Sequence, residues 1–164
     1  MLRIFISATT TGLLSYRAIA REVVAAQGYV PLVQEHFSTP KSELTRQIQS
    51  NVYHSHALLG IVGPFYGHES NARDRDGAVL SYSQYEVEYA LACRRPCLVL
   101  ISDGAFEVDG TDPETAAHQR SQAAFIESLK SRRDRRLGCV VFTSTLEFAV
   151  ALAKIRWQEW FGGR

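Results

Sequence analysis

The sequence predicts an α/β fold in which one parallel sheet is covered by helices on both faces. Five short, continuous apolar runs alternate with five segments of helical periodicity along 164 residues, of which 46% are hydrophobic. Continuous apolar runs are typical of strands buried on both faces, and parallel strands need helical crossover connections. Right-handed crossovers then give a flavodoxin-like three-layer sandwich, with its five-stranded parallel sheet most simply in the order 2-1-3-4-5.

Strands and helices follow one another along the chain. The predicted strands are residues 2–7, 29–33, 57–62, 97–101 and 139–142. The predicted helices are residues 14–27, 40–52, 82–92, 113–132 and 146–161. Local signals mark several ends: Pro40 and Pro113 suit first helical positions, and Gly28 follows the first helix where a C-terminal cap belongs. Ser81 and Gln84 fit a capping box at the start of the third helix.

Length and composition indicate one domain, residues 1–161, with residues 162–164 as the possible start of a linker. A core of this size suffices for one domain and is small for two. A formal net charge of +1 and dispersed basic residues give no support to specific nucleic-acid binding. Trp157, Trp160 and Phe161 crowd one side of the last helix, which indicates core packing or a contact with another chain or domain.

The sequence also gives expectations about the cellular compartment. The amino-terminal apolar run is a strand rather than a signal peptide, because no cleavage site of small residues follows a long apolar core. No segment approaches the roughly 20 apolar residues of a membrane span. Cys93, Cys97 and Cys139 are odd in number and lie in apolar surroundings. This pattern is typical of buried thiols in a reducing cytosol, so a cytoplasmic location is expected.

One carboxylate lies on the apolar face of the third predicted helix. At about 100° per residue this helix has a single apolar stripe, formed by Tyr82, Tyr85, Tyr89, Ala90 and Cys93. Glu86 lies within the stripe, whereas Glu88 faces water. Burying a carboxylate costs on the order of several kcal/mol unless it is partnered or protonated. Glu86 is therefore either a catalytic candidate or a carboxylate that hydrogen-bonds a neighbouring loop and fixes its conformation.

Two loops follow the first and third strands, at the edge where such sheets bind ligands. Residues 7–12 include Ser7, Thr9 and Thr10 and end in glycine, which suits contact with ribose or phosphate but equally suits ordinary capping. Residues 63–67 bring Phe65 and Tyr66 to the same edge, either to stack on a base or nicotinamide ring or as part of a plain turn. The polar residues 71–77 are either a mobile lid or a solvated insertion.

Several common kinds of site have no signal in the sequence. The loop of residues 7–12 is not followed by Gly-Lys-Ser or Gly-Lys-Thr, and the chain has no Gly-x-Gly-x-x-Gly fingerprint. Its histidines and cysteines lack the spacing of a zinc site, so no metal is expected. No second carboxylate or histidine has a spacing that demands a paired acid and base. This absence constrains the chemistry that Glu86 can support.

Four segments together resemble the Toll/interleukin-1 receptor (TIR) superfamily, specifically the bacterial TIR-like domain that often precedes NTPase or repeat modules. These segments are residues 3–7, 63–67, 80–91 and 95–101, within a stretch of about residues 2–102. Enzymatic TIR domains cleave the N-glycosidic bond of NAD+ with a catalytic glutamate, and the resemblance carries that role to Glu86. It implies a TIR-like fold and a role in bacterial antiviral defence signalling.

The resemblance also implies the rest of the site and its partners. The substrate-binding residues would be Ser7, Thr9, Thr10, Phe65, Tyr66, Gly67, Ser81 and Tyr82. NAD+ would be the substrate, so no cofactor is expected. Activity would require self-association or a fused sensor or NTPase domain. From its charge and the lack of a long apolar segment, neither a specific nucleic acid nor a membrane is expected as a partner.

The implied reaction fits a single carboxylate. Nicotinamide leaves NAD+ as a neutral ring, so no general acid has to protonate it, unlike the leaving group of ordinary glycoside hydrolysis. Water as acceptor gives hydrolysis and the adenine of the same molecule gives cyclisation, and the sequence leaves both open. Two alternatives remain: a non-catalytic TIR-like interaction module, and an enzyme resembling the nucleoside deoxyribosyltransferases.

Overall fold

The computed structural model describes residues 1–9, 12–34, 40–103, 108–111 and 113–161. The strands are β1 (Arg3–Ala8), β2 (Val30–Val33), β3 (Ala57–Val62), β4 (Glu69–Arg73), β5 (Val79–Ser81), β6 (Cys97–Ser102) and β7 (Leu137–Phe142). The helices are α1 (Leu14–Ala26), α2 (Lys41–His54), α3 (Tyr82–Ala92), α4 (Ala116–Ser131), α5 (Thr145–Ala153) and α6 (Trp157–Phe161). Thr10, predicted to bind substrate, and residues 162–164, predicted to begin a linker, lie outside the described part of the chain.

The main sheet is parallel and has five strands in the order β2-β1-β3-β6-β7. Counted within this sheet alone, the strands run 2-1-3-4-5, so the predicted α/β fold is confirmed. The labels differ from that simple count because β4 and β5, which follow β3 and precede β6 in the sequence, form a separate two-stranded sheet. The strand order reverses at β1, which pairs with both β2 and β3.

Two apolar cores lie on the two faces of the sheet. Because side chains alternate along a strand, Ile4 and Ile6 of β1 pack on one face with α1, α5 and α6, and Phe5 packs on the other with α2, α3 and α4. Every residue of β3 is buried, as expected for a central strand covered on both sides. The predicted three-layer arrangement follows from these two cores.

The hairpin of β4 and β5 was not predicted. Residues 71–77, expected to be a lid or a solvated insertion, instead end one antiparallel strand and form its turn. The Asp74 side chain accepts hydrogen bonds from the backbone N–H groups of Asp76, at 2.9 Å, and Ala78, at 2.8 Å. Gly77 supplies the positive φ of 85° that closes the turn. The turn chemistry was present in the sequence, but β4 is polar and β5 has only three residues, so neither shows the apolar alternation that usually marks a hairpin.

The prediction of one last helix over residues 146–161 was wrong, because α5 ends at Ala153 and α6 begins at Trp157. The Gln27 side-chain amide donates to the carbonyl oxygens of Leu152, at 3.2 Å, and Ala153, at 3.3 Å. Gln27 also accepts a hydrogen bond from the indole of Trp157 at 3.1 Å. It therefore satisfies the free carbonyls at the end of α5 and anchors α6 in the core, where Trp157 is 1% exposed.

The remaining sequence expectations concern thiols and membranes. Cys97 is buried, Cys93 is partly buried and Cys139 is exposed, so the expectation of burial holds fully only for Cys97. All three are free thiols. Within the described residues, no helix is long and apolar enough to cross a membrane.

Candidate functional site

The helix α3 continues directly from β5, because Ser81 is both the last residue of that strand and the N-cap of the helix. The predicted capping box is present: Ser81 Oγ accepts from Gln84 N at 3.2 Å, and the Gln84 side chain accepts from Ser81 N at 3.0 Å. This start fixes the rotation of the helix. Glu86 consequently points into the protein and is 6% exposed, as predicted. The predicted stripe itself was only partly right, because the buried face of α3 runs through Ser83, Val87 and Ala90 and leaves Tyr85, Tyr89 and Cys93 partly buried.

The Glu86 carboxylate has one hydrogen-bonding partner on β1 and one cation nearby. Ser7 Oγ donates to Glu86 Oε2, and the guanidinium of Arg17 lies close enough to act on the carboxylate electrostatically. Burial raises the pKa of Glu86 to about 7, while the Ser7 hydrogen bond and the Arg17 charge oppose that rise. The carboxyl group therefore changes its charge near neutral pH.

Glu86 lies in a small cavity beyond the carboxyl ends of β1 and β3, where the sequence predicted the crevice. The cavity volume is about 20 Å³, enough for a single water molecule. Of the other predicted binding residues, the cavity lining includes Thr9, Tyr66, Gly67 and Tyr82. A wider groove of about 420 Å³, the size of many small-ligand sites, adjoins it and shares Gly67, His68 and Tyr82 with it.

Two hydroxyl groups in the lining are buried without a hydrogen bond. Thr9 and Tyr82 are each 9% exposed, and neither Thr9 Oγ1 nor Tyr82 Oη has a partner among the residues that the structure describes. A buried hydroxyl left unsatisfied costs roughly 1–3 kcal/mol. Such groups are usually satisfied by water or by a ligand. The lining of the Glu86 cavity thus offers two hydrogen-bonding groups to a polar molecule.

Other residues predicted to bind substrate lie elsewhere or have other partners. Thr10 is outside the described residues. Ser7 lies beside Glu86, and its hydroxyl is engaged by that carboxylate. Ser81 is fully buried as the N-cap of α3 and does not line the cavity. Phe65 also lies outside the cavity lining and packs over Gly12, where an added Cβ would come within 2.9 Å of the phenyl ring.

The loop of residues 63–67 is held by residues at and just before α4. Gln122 donates to Gly63 O at 2.7 Å, and Glu114 Oε1 accepts from the backbone N–H groups of Tyr66, at 2.6 Å, and Gly67, at 3.0 Å. His118 stacks on the Tyr66 ring with a centroid distance of 4.4 Å and an interplanar angle of 6°. One face of Tyr66 is thus occupied within the chain itself.

The same ring is fixed at its hydroxyl end, because Tyr66 Oη donates to Val79 O at 2.8 Å. Burial, together with the charge of Glu69, raises the pKa of Tyr66 to about 12. This phenol therefore stays protonated at neutral pH and serves to position the loop. Over the described part of the chain, no three His, Cys, Asp or Glu side chains form a group that could hold a metal ion.

One known family model matches almost the whole chain. The model of the family described as "Domain of unknown function (DUF4062)" matches residues 3–155. The chain belongs to this family. The match includes Glu86, the loop of residues 63–67 and the part of α4 that holds the loop, so the site described above lies inside the DUF4062 domain. No curated protein matches the chain.

Sequence reasoning missed several residues of this DUF4062 site. Arg17, Gln34, His68 and Ser83 also line the Glu86 cavity. Arg17 was recognisable, because it lies on the same face of α1 as the buried Ala20, three positions later, and so repeats the pattern that identified Glu86. Its guanidinium donates to the carbonyl oxygens of Ala8 and Gln34. Gln34 and His68 lie outside the helices, where helical periodicity gives no signal, and the periodicity of α3 did not distinguish Ser83.

Gly67 is required by both its backbone conformation and its neighbours. Its φ is 76°, and a Cβ at this position would lie 2.9 Å from Thr9 Cγ2. We expect Gly67→Ala to lower the free energy of unfolding by about 1–2 kcal/mol for the left-handed conformation, and by roughly 1–3 kcal/mol more for the contact with Thr9. Urea unfolding measures the sum.

Gly77→Ala is the matched control for this substitution. Gly77 has a similar φ of 85°, but nothing lies within 4 Å of an added Cβ. It therefore reports the conformational cost alone. Equal destabilisation by the two substitutions would mean that the Thr9 contact at Gly67 relaxes without cost.

Proposed function

We propose that this domain is a TIR-like NAD+ glycohydrolase or cyclase that cleaves the bond between nicotinamide and ribose. The observation that carries the proposal is the buried Glu86 carboxylate, which shares its cavity with the unsatisfied hydroxyls of Thr9 and Tyr82. A carboxylate beside groups that can hydrogen-bond a sugar is what a reaction through an oxocarbenium-like transition state requires. The groove beside the cavity has room for the rest of a nucleotide.

In the proposed reaction, the C1′–N1 bond of the nicotinamide ribose breaks and its electron pair stays on the ring nitrogen. Nicotinamide leaves as a neutral molecule, and positive charge develops on the ribose. Glu86 stabilises that charge from a site of low dielectric, where electrostatic stabilisation is strongest. Water adds to C1′ and loses a proton, giving ADP-ribose, or the adenine of the same molecule adds instead. With a pKa of about 7, Glu86 is able to accept the proton of the water.

The proposal includes a biological setting. By resemblance to enzymatic TIR domains, it is signal production in bacterial antiviral defence, with activity that depends on self-association or on a fused sensor or NTPase domain. The proposed location is the cytoplasm, and the three free thiols support a reducing compartment.

The direct test is to incubate the protein with NAD+, over a range of protein concentrations and also as a fusion to an oligomerising coiled coil. Nicotinamide and the adenine-containing products are separated by chromatography. We expect nicotinamide together with ADP-ribose or its cyclic form, and the second product identifies the acceptor. Intact NAD+ in every sample, including the enforced assembly, would contradict the proposal. Base exchange on a deoxynucleoside without loss of NAD+ would instead support a deoxyribosyltransferase.

The hydrogen bond from Ser7 gives a prediction about pH. Cleavage requires the charged form of Glu86, so its rate should rise as the pH passes through about 7. Ser7→Ala removes a hydrogen bond that favours the carboxylate, so the pKa of Glu86 should rise further and the midpoint of the rate profile should move upward by about one pH unit. Ser15→Ala is a suitable control, because Ser15 is an exposed residue of α1. An unchanged midpoint in Ser7→Ala would contradict the assignment of this pH dependence to Glu86.

A non-catalytic interaction module remains the second candidate, because the edge of the molecule formed by β7 and α5 exposes several large apolar side chains. Val141 is 45% exposed, Val150 is 41% exposed and Leu146 is 74% exposed. Exposed apolar residues near an open sheet edge are typical of contact surfaces. Light scattering of the parent and of Leu146→Asp tests this candidate: loss of self-association in the variant, with no NAD+ cleavage by either protein, would favour it.

A further inference from the structure

The carboxylate of Glu114 occupies a pair of backbone donors at the border of the Glu86 cavity. Its Oε1 accepts from Tyr66 N at 2.6 Å and from Gly67 N at 3.0 Å. Successive N–H groups that converge beside a residue of positive φ form a concave site that binds anions, including phosphate. Gly67 has that conformation, with φ of 76°. In this chain the pair of N–H groups is thus occupied by the chain's own carboxylate.

The loop that carries this site borders both the wide groove and the Glu86 cavity. Gly67 lines both the groove of about 420 Å³ and the small cavity of about 20 Å³. A ligand of nucleotide size fits only the groove, so the part of it that approaches Glu86 passes the residues that line both spaces, Gly67, His68 and Tyr82. The groove is also lined by Lys41, His68, His118 and Glu69, and His118 Nε2 lies 3.2 Å from Glu69 Oε1. Lys41 carries a positive charge and His68 can donate a hydrogen bond, which suits a phosphate at this border, while the negative charge of Glu69 is hydrogen-bonded to His118.

Glu114 is well placed to be displaced. It is partly exposed, in the short segment that precedes α4, whereas the N–H groups that it engages belong to the loop of residues 63–67. A phosphate group offers more negative charge and more acceptor oxygens than a carboxylate. Exchange of one anion for another leaves both N–H groups satisfied, so no buried donor loses its partner.

We infer that the backbone N–H pair of Tyr66 and Gly67 is a phosphate-binding subsite, and that Glu114 is the internal anion that a phosphate-bearing ligand displaces. The inference rests on the proposed function for the identity of the ligand, since NAD+ brings a diphosphate to this groove. It adds a regulatory property to that function: the occupied subsite lowers the affinity of the resting chain for its substrate, because only the fraction with an open subsite is competent to bind.

The test measures binding of inorganic pyrophosphate, ADP and adenosine by calorimetry, with the parent and with Glu114→Ala and Glu114→Gln. If Glu114 holds the subsite about nine-tenths of the time, Glu114→Ala should bind pyrophosphate and ADP about tenfold more tightly and adenosine unchanged. Glu114→Gln keeps an oxygen that can accept from both N–H groups but has no charge, so it should show a smaller gain in the same direction. Glu127→Gln, an exposed carboxylate change on α4, controls for net charge.

The outcomes separate this inference from a purely structural role for Glu114. If Glu114 only braces the loop, Glu114→Gln should bind every ligand as the parent does, and Glu114→Ala should weaken ADP and adenosine alike. Either result would overturn the inference, as would an absence of pyrophosphate and ADP binding to both variants. Tighter ADP binding without pyrophosphate binding would locate the gain in the nucleoside contacts instead, and would also overturn it.

The same measurements keep the inference distinct from the proposed reaction. Selective gain of phosphate affinity in a protein that releases no nicotinamide from NAD+ would establish the subsite and contradict the glycohydrolase. Cleavage of NAD+ by a protein whose ADP affinity does not respond to Glu114 would do the reverse.

Discussion

Replacing Glu86 with glutamine should lower nicotinamide release from NAD+ by about 10²–10³-fold, the usual loss when a preorganised electrostatic group is removed from a buried site. Glutamine has nearly the same shape, and its side-chain oxygen can still accept from Ser7 Oγ. The cavity therefore keeps its form and loses only the negative charge. Initial rates at saturating and at low NAD+ concentration separate kcat from KM, and we expect the loss mainly in kcat because the charge acts on the transition state.

Glu88→Gln is the matched control for this prediction. Glu88 lies on the same helix, two positions later, and is paired at the surface with Arg132 at 2.7 Å. Its removal changes the net charge and the helix composition in the same way, but leaves the Glu86 cavity untouched. Activity of Glu86→Gln above about a tenth of the parent rate would contradict a catalytic role for the carboxylate.

The second large effect concerns stability, and its sign depends on pH. Burial raises the pKa of Glu86 from 4.5 to about 7, so between these values the folded state binds a proton that the unfolded chain has lost. Stability therefore falls as the pH rises from about 4.5 to about 7, and the loss is complete above pH 7. The shift corresponds to roughly 3 kcal/mol at most. Glu86→Gln has no such proton and should be more stable than the parent at pH 8, by about 1–3 kcal/mol.

Urea unfolding at pH 5 and at pH 8 tests this sign. The difference between Glu86→Gln and the parent should be small at pH 5, where Glu86 is largely protonated, and should grow at pH 8. Glu88→Gln should show no comparable growth. If the two proteins differ in stability by the same amount at both pH values, burial does not raise the pKa of Glu86.

Together the two measurements distinguish a functional carboxylate from a structural one. A carboxylate that only fixes a neighbouring loop stabilises the protein, so its replacement should cost stability at pH 8. A variant that is more stable and less active indicates a group kept in an unfavourable setting for its chemistry. The buried position of Glu86 and its raised pKa favour this second outcome.

The fold followed from the sequence because its signals are local. Buried strands such as β3 are continuous apolar runs, and the start of α3 is marked by its own capping box. The break between α5 and α6 has no such signal, since the free carbonyls of α5 are satisfied by Gln27, 125 positions away from Leu152. A polar contact across that separation leaves no periodic trace in either segment.

Some residues of the candidate site could likewise be predicted from local spacing, and others could not. Glu86 was found because a carboxylate within an apolar stripe is visible from helical spacing alone, and Arg17 could have been found by that criterion. Glu114 could not, because its role depends on the N–H groups of a loop 47 and 48 positions earlier. The hydrogen bond from Ser7 to Glu86 could not be predicted either, because it depends on how α3 packs against β1.

The direct continuation of β5 into α3 has a mechanical consequence. Ser81 is shared by the strand and the helix, and Tyr82 N donates to His68 O beside the hairpin, so no hinge separates the two elements. The strand β5 and the first turn of α3 therefore form one continuous stretch of chain that is hydrogen-bonded to the residue before β4. We expect a change in the pairing of β4 with β5 to move the first turn of α3, and Glu86 with it, because strand and helix share Ser81.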